Sequence, residues 1–407
     1  MEKFINTERA IELIISKIKP QKKEVIKLED SYNRIIASDI YTKIPIPNFR
    51  KSPFDGYCLK SQESFGASIK YPIELKVSGV IKAGYDIKNF KSGIYKIMTG
   101  AEIPEFCDLV IKKEDTDCGS DKVLIYKEGK PGENIIKIGE DVDSGIKILS
   151  KGIKIKPGVV AILAAMGISK LEVYKLPKVG LITSGDEVID LGMPLTPGKI
   201  YNSNKYALLA FINELGIKAK DYGTAIDTID GLKDKINLAL EENDVIITTG
   251  GVSVGDYDYI QDVYDMLNIE KIFWSVKMKP GTPVMAGYQR EKIIISLPGS
   301  PAASLITYEI IAKPVIKFMM GYNEYLPKRH IGIMKDNFKK LSNITRFLRV
   351  YVMPGEKGYE IHLAGKQNAG VLQSMISYTA LAKVINPDNP VKIGDRLEFS
   401  FVNEDNM

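Results

Sequence analysis

The 407-residue sequence contains few of the residues that form disulfide frameworks, zinc sites and histidine-based catalytic centres. Its three cysteines, at positions 58, 107 and 118, are odd in number and are spaced neither as pairs nor as metal ligands, so neither a disulfide framework nor a zinc site is expected. The two histidines, His330 and His362, lie in different sequence contexts, which argues against a histidine triad or metal centre. This cysteine usage favours a reducing compartment, and we expect a cytoplasmic protein.

Long apolar segments and a strong charge of one sign are also absent. The apolar positions of residues 1–19 are interrupted by Glu2, Lys3, Glu8 and other charged residues, which argues against a signal peptide, and no run approaches the length of a membrane span. The 56 basic and 51 acidic residues give a formal charge of +5 without a basic stripe. We therefore expect a soluble protein with no nucleic-acid or membrane partner, suited to an anionic small molecule.

The chain is organised around residues 244–258, which read DVIITTGGVSVGDYD. The run Val245–Ile247 is typical of a buried parallel strand, and a loop rich in glycine, serine and threonine follows it. A small-residue loop between a strand and a helix presents backbone N–H groups to phosphate, and the acids Asp256 and Asp258 favour a Mg²⁺ ion between them and that phosphate. The alternative interpretation is a tight turn with a solvated acid pair.

Strands and helices alternate from Lys178 onward, which predicts a parallel, doubly wound α/β sheet. Three of its strands end in loops of small residues, at positions 184–187, 248–258 and 298–301, and the first two loops also carry acidic residues. Ligands of such sheets bind outside the carboxyl ends of the strands. We therefore expect the three loops to converge on one edge and to form a phosphate-and-metal site.

The remaining segments give a coarser domain plan. An amphipathic helix begins at Thr7, short β-rich runs alternate with turns between residues 71 and 138, and short strands return after Gly321. The segments at Asp55-Gly56 and Thr99-Gly100 are explained as turns, and Lys279 is either a cation for an anionic ligand or a solvated lysine. We expect four domains, namely a discontinuous N-terminal domain (1–45 plus 140–177), a small β-rich domain (46–139), an α/β domain (178–326) and a C-terminal β domain (327–407).

Seven motifs, in this order, resemble those of the MoeA/gephyrin E-domain family, the molybdopterin molybdenumtransferases. The motifs are Asp55-Gly56-Tyr57, Thr99-Gly100-Ala101 with Pro104, Ser184-Gly185-Asp186-Glu187, Gly198 with Asn202 or Asn204, 250–255 (GGVSVG) with Asp258, Lys279-Pro280-Gly281, and Pro298-Gly299 with Pro301. The resemblance implies a multi-domain α/β and β fold. Its parts would be a doubly wound α/β molybdopterin-binding domain, an extended N-terminal α+β domain, a small β domain and a C-terminal β-barrel-like domain.

The resemblance also implies an activity in molybdenum cofactor biosynthesis. Enzymes of this family cleave AMP from an adenylylated molybdopterin with Mg²⁺ and insert molybdate into the dithiolene, at a site that two subunits of a homodimer share. An upstream adenylyltransferase and acceptor apo-enzymes would be further partners. The catalytic residues would be Glu187, Asp258, Lys279, Asp55, Thr99 and Asp227, of which Glu187 and Asp258 would hold Mg²⁺. The cofactor-binding residues would be Ser184, Gly185, Asp186, Gly250, Gly251, Ser253, Gly255, Pro298, Gly299 and Ser300.

Several positions depart from the family pattern, mostly where the family binds its oxyanion. The departing residues are Ser275, Thr282, Ser300, Ala303, Ile344 and Ala369, whereas Arg349 is kept. The alternatives are therefore a pterin-binding paralogue that uses tungstate or lacks insertion activity, and a non-enzymatic scaffold, since this fold also serves as a receptor-clustering module.

Overall fold

A computed structural model describes residues 1–252, 259–386 and 388–402. The chain divides into two compact units. The first unit contains residues 1–38, 151–156 and 170–407, and the second contains residues 39–150 and 157–169. No helix among the described residues is long and apolar enough to cross a membrane.

The helices are short and begin at capping residues in several cases. Asn6, Asn202 and Thr228 each accept a hydrogen bond from a backbone N–H of the first turn of the helix that follows. The helices are α1 Thr7–Ile15, α2 Pro157–Ala165, α3 Ser203–Glu214, α4 Ile229–Glu242, α5 Ile260–Met266, α6 Pro301–Thr307 and α7 Lys313–Met319.

The strands are distributed over both units. They are β1 Glu2–Ile5, β2 Lys23–Lys27, β3 Ile40–Tyr41, β4 Gly56–Leu59, β5 Ile73–Ile81, β6 Ile94–Ile97, β7 Leu109–Lys112, β8 Lys122–Ile125, β9 Lys147–Leu149, β10 Lys170–Tyr174, β11 Val179–Ser184, β12 Val188–Ile189, β13 Ile200–Tyr201, β14 Lys220–Ala225, β15 Val245–Thr249, β16 Glu270–Val276, β17 Met278–Lys279, β18 Met285–Gln289, β19 Lys292–Leu297, β20 His330–Met334, β21 Ser342–Gly355, β22 Gly358–Leu363, β23 Ala380–Asn386 and β24 Arg396–Phe401.

A seven-stranded sheet in the order β1-β16-β18-β19-β15-β11-β14 forms the centre of the first unit. The four strands β19, β15, β11 and β14 lie side by side and parallel. Val245, Ile246 and Ile247 of β15 are fully buried, as their β-branched run predicts. Because the four strands are parallel, their carboxyl ends meet at one edge of the sheet. One strand departs from the parallel arrangement that the sequence predicts, since β18 runs antiparallel to both of its neighbours.

The strands after residue 329 form the C-terminal β-barrel that the sequence predicts. The order is β21-β22-β20-β24-β23, and β23 pairs again with β21, which closes the barrel. The short strand β17 adds to β21 through Met278 and Lys279. Arg349, in β21, is completely buried in this region.

The second unit contains the small β domain expected from the sequence. Its five-stranded sheet has the order β7-β4-β6-β5-β8. Two clusters of buried apolar side chains pack on its strands, one around Tyr57 and Leu109 and the other around Cys58 and Ile97. Both Asp55, directly before β4, and Thr99, after β6, belong to this unit. The four domain boundaries given above stay a prediction.

A buried ion pair stabilises the helical segment that follows β19 in the first unit. A π-helical turn, Tyr308–Ala312, separates α6 from α7. Lys313 Nζ lies 3.0 Å from Glu309 Oε2, with side-chain exposures of only 12% and 5%, and it also donates to the carbonyl of Val402. Burial raises the pKa of Glu309 to about 7, although Lys313 opposes that shift. Lys313 is therefore the main counterion of Glu309 when this carboxyl is ionised, and the charge of Lys317 adds to its effect.

Replacing Lys313 with methionine should lower the free energy of unfolding by about 3 kcal/mol at pH 8, because it leaves a buried carboxylate without its counterion. The loss should shrink at pH 6, since protonation then neutralises Glu309. The measurement is chemical denaturation at both pH values. Lys328→Met is the matched control, because Lys328 and Glu324 form an exposed pair with the same i,i+4 spacing at 3.1 Å, for which a loss below about 1 kcal/mol is expected. Equal losses for both variants would contradict the interpretation.

Candidate functional site

The loops at the carboxyl ends of the parallel strands open into one cavity of about 490 Å³ in the first unit. The loops after β11, β15 and β19 all contribute to it, so the convergence expected from the strand pattern is observed. Asp227, after β14, contributes from a fourth loop. The predicted site residues that line the cavity are Ser184, Gly185, Glu187, Asp227, Gly250, Gly251, Pro298, Gly299 and Ser300. Their roles stay predictions.

The glycine loop after β15 has a backbone conformation that side chains rarely adopt. Gly250 and Gly251 have φ angles of +97° and +64°. The N–H of Gly250 donates to the carbonyl of Leu297 at 3.1 Å, which fixes this loop to the end of β19. A Cβ on Gly250 would lie 2.6 Å from both the carbonyl oxygen and the hydroxyl oxygen of Ser184. The loop can therefore lie this close to β11 only because residue 250 has no side chain.

Hydroxyl and amide groups cross-link the ends of β15 and β19. Thr249 Oγ1 donates to the carbonyl of Pro298 at 2.9 Å and lies 3.2 Å from Ser304 Oγ. Asn204, in the first turn of α3, donates from Nδ2 to Thr249 Oγ1 at 3.1 Å and to the carbonyl of Gly299 at 2.8 Å. These bonds hold one wall of the cavity in a fixed geometry.

Two acidic residues, Glu187 and Asp227, line the cavity, and Asp186 lies next to Asp227 without lining it. The backbone N–H of Asp186 donates to Asp227 Oδ2 at 3.3 Å, and that of Asp227 donates to Asp186 Oδ1 at 3.1 Å. Burial raises the pKa of Asp227, and the negative charges of Asp186 and Glu187 add to the rise. Its Oδ1 atom is buried without a hydrogen-bond partner among the described residues. An excess of negative charge and an unused carboxylate oxygen are features that a bound cation would stabilise.

The structure places other predicted residues outside this cavity. Lys279 is exposed on β17, which pairs with the barrel strand β21, and it does not line the cavity. In the second unit, Thr99 donates to Asp55 Oδ1 from both its N–H and its hydroxyl at 2.8 Å, and these bonds lower the pKa of Asp55. Ser253, Gly255 and Asp258 lie outside the described residues.

Arg349 stands at the position where the resemblance implies an oxyanion pocket. Its guanidinium is fully buried and donates to Ser374 Oγ at 2.7 Å and to the carbonyls of Lys366 and Asn368 at 2.8 and 3.1 Å. The neighbouring carbonyl of Ala369 accepts the N–H of Ala302, near the start of α6. In this conformation Arg349 therefore holds the 366–369 loop in place.

Thr249 and Asn204 were not among the predicted site residues. Asn204 belongs to the family motifs only as an alternative to Asn202. Both residues line the cavity, but Asn202 caps α3, whereas Asn204 cross-links the ends of β15 and β19. The signal in the sequence is a second asparagine in the first turn of a helix that Asn202 already caps, because asparagine has little helix-forming value beyond the cap.

The comparisons with known proteins cover nearly the whole chain. Residues 5–167 match the family described as the MoeA N-terminal region (domain I and II), and residues 180–317 match a probable molybdopterin binding domain. The chain is 33% identical over 404 residues to a molybdopterin molybdenumtransferase of Staphylococcus aureus, covering 98% of this chain and 96% of that protein. A homologue of the same name from Staphylococcus epidermidis is 32% identical over 393 residues.

Solved structures show the same similarity at the level of the fold. The crystal structure of a molybdopterin biosynthesis MoeA protein from Pyrococcus horikoshii superposes with a TM-score of 0.81 at 29% identity, covering 98% of this chain and 99% of that one. A molybdenum cofactor biosynthesis protein from Pyrococcus furiosus, at 17% identity and a TM-score of 0.59, shares the fold. Both similarities extend over the full length of the chain.

Proposed function

Because this chain belongs to the molybdopterin molybdenumtransferase family, we propose that it cleaves AMP from an adenylylated molybdopterin in a Mg²⁺-dependent reaction and inserts molybdate into the dithiolene. The observation that carries the proposal is the juxtaposition of the glycine loop and the acidic cluster around one cavity. The bare backbone at Gly250 and Gly251 suits close approach of a phosphate. The acids Glu187 and Asp227 suit a cation that bridges to it.

The residues present are suitable for Mg²⁺, which takes oxygen ligands and keeps several waters and substrate phosphates in its shell. No three His, Cys, Asp or Glu side chains are grouped to hold a metal by themselves within the described ranges. Glu187 and the unused oxygen of Asp227, together with Asp258 as predicted from the resemblance, would hold the ion. The bound ion would supply neutralisation of the charge that develops on the phosphoanhydride oxygens.

The remaining groups of the cavity position the substrate. The glycine loop brings backbone close to the phosphates, and the cross-links through Thr249 and Asn204 prevent this wall from moving. Such preorganisation matters because donors and charges that are already in place need no rearrangement in the transition state. Other parts of the proposal rest on the family resemblance. They are the charge-neutralising role of Lys279, a site shared by two subunits of a homodimer with Asp55 and Thr99, the upstream adenylyltransferase and the acceptor apo-enzymes.

Glu187→Gln should reduce AMP release by about 10- to 100-fold, because it removes a charged ligand from the metal while keeping the shape of the side chain. The fold should be unaffected, since Glu187 is exposed. The assay mixes purified protein with adenylylated molybdopterin, Mg²⁺ and molybdate and follows AMP. The control is Glu241→Gln, on the exposed face of α4, which should leave AMP release unchanged. Unchanged turnover of the Glu187 variant would remove the proposed metal role, and no AMP release by the wild type would reject the proposed function.

A second candidate function is AMP cleavage with insertion of tungstate in place of molybdate, or AMP cleavage without insertion of any metal. The state of Arg349 bears on the form without insertion, because the three hydrogen bonds of its guanidinium go to neutral groups of the chain itself and only Nη1 has no partner among the described residues. The same assay with molybdate and tungstate in competition distinguishes the candidates through the metal found in the product. AMP release without incorporation of either metal would support a paralogue that lacks insertion activity.

A further inference from the structure

One atom of the cavity-lining residue Asn204 is a hydrogen-bond acceptor, whereas a phosphate site requires hydrogen-bond donors. Asn204 Oδ1 is buried and has no hydrogen-bond partner among the residues that the structure describes. An amide oxygen is an acceptor only, so it repels phosphate oxygens and requires an N–H or O–H group. A buried acceptor without a partner is costly, and in native proteins it usually indicates a missing ligand or water.

The orientation of this amide follows from its neighbours. Asn204 Nδ2 uses both of its hydrogens, on Thr249 Oγ1 and on the carbonyl of Gly299. Turning the amide over would place Oδ1 2.8 Å from the carbonyl oxygen of Gly299, and two acceptors would then face each other without a proton. The oxygen must therefore occupy the other side of the amide of Asn204, a residue that lines the cavity.

Resting on the function proposed above, we infer that Asn204 Oδ1 is a specificity determinant that accepts a hydrogen bond from a neutral donor group of the substrate. The glycine loop and the acids would bind the phosphates, whereas Asn204 would recognise a different part of the substrate, one that carries N–H or O–H groups. Two parts of an adenylylated pterin have such donors, namely the amino and ring N–H groups of the heterocycle and the hydroxyls of the ribose. The asparagine rejects a substrate that lacks the donor, because its oxygen would then stay buried and unpaired.

Two pairs of probes distinguish the sources of the donor. The first pair is pterin and its analogue with methyl groups on the 2-amino group and N3. The second pair is AMP and 2′,3′-dideoxy-AMP. Wild-type protein should bind the donor-carrying member of one pair about tenfold more tightly than the other member. Asn204→Ala should abolish that preference.

Asn243→Ala is the matched control for the loss of a buried amide. Asn243 makes a similar bridge at the opposite end of β15, donating from Nδ2 to Tyr222 Oη at 2.7 Å and to the carbonyl of Ala239 at 2.9 Å. It does not line the cavity. The variant should lose thermal stability like Asn204→Ala but should keep the preference within the probe pair. A preference that Asn204→Ala retains, or that the wild type lacks in both pairs, would overturn the inference.

Wild-type protein alone provides a test that does not depend on how Asn204→Ala folds. In protein labelled with ¹⁵N at asparagine, the side-chain amide signal of Asn204 should shift with the donor-carrying probe and not with its partner. An amide signal that responds to neither probe would also overturn the inference. AMP release by the wild type is measured separately, so that loss of the Asn204 preference and failure of the proposed reaction are distinguishable.

Discussion

Replacing Gly250 with alanine should abolish AMP release and lower the stability of the protein. The new Cβ would lie 2.6 Å from the carbonyl oxygen of Ser184, a backbone atom that cannot rotate away. In addition, the φ angle of +97° is unfavourable for any residue with a side chain, at a cost of about 1–3 kcal/mol. The glycine loop must therefore move away from β11, which takes its backbone out of the position proposed for phosphate. The measurements are AMP release under saturating substrate and chemical denaturation.

Gly216→Ala separates backbone strain from the clash. Gly216 follows α3 with a φ angle of +76°, and a Cβ there would meet no atom within 4 Å. This control should lose about 1 kcal/mol of stability and keep its turnover. If Gly250→Ala behaved in the same way as Gly216→Ala, the close approach of loop and strand would not matter for the reaction.

The position of the site was predictable because it follows from strand pattern alone. The apolar run Val245–Ile247 predicts a buried strand, and alternation with helices predicts that its neighbours are parallel. Parallel neighbours place their carboxyl ends at the same edge, so loops that are far apart in sequence had to meet. The glycines at 250 and 251 then indicate where the backbone is bare. None of these steps requires knowledge of side-chain contacts.

The antiparallel strand β18 was missed because its turn carries no glycine or asparagine. Arg290 and Glu291 join β18 to β19 and have φ angles of +49° and +65°. A two-residue hairpin with such angles normally contains Asn-Gly or a similar pair, which is the signal that sequence analysis uses. The contact of β1 with β16 was also not predicted, because it joins residues about 270 positions apart.

The partners of the acidic residues depend on tertiary contacts that local patterns do not encode. The backbone N–H groups of Asp186 and Asp227 each donate to the other residue's carboxylate although the two residues are 41 positions apart. Asp227 was named only through the family resemblance, since its own loop after β14 gives no distinctive signal. Lys279 is the converse example. Its sequence made it a plausible cation for the ligand, but its strand β17 pairs with the barrel strand β21 and the residue does not line the cavity.

Asp227→Asn should reduce AMP release by about 10²–10³-fold while making the folded protein more stable at neutral pH. The loss of activity is expected because the variant removes a preorganised charge from the phosphate site. The gain in stability follows from the raised pKa of Asp227, which burial and the charges of Asp186 and Glu187 cause. A carboxyl whose pKa is higher in the folded state contributes stability at low pH, and this contribution is lost as pH rises through the folded pKa. Asparagine stays neutral and avoids that loss.

Unfolding temperatures of the variant and the wild type, measured between pH 4 and pH 8, test the predicted direction of this stability change. The variant should unfold at a higher temperature than the wild type at pH 8, and the difference should decrease toward pH 4 as Asp227 becomes protonated. Asp230→Asn is the control, because the Asp230 side chain is 85% exposed and pairs only with Lys233 among the described residues. It should change neither activity nor the pH dependence. A variant of Asp227 that is less stable and fully active would show that the hydrogen bond from the Asp186 N–H outweighs burial and the neighbouring negative charges, and the acidic cluster would then not be a cation site.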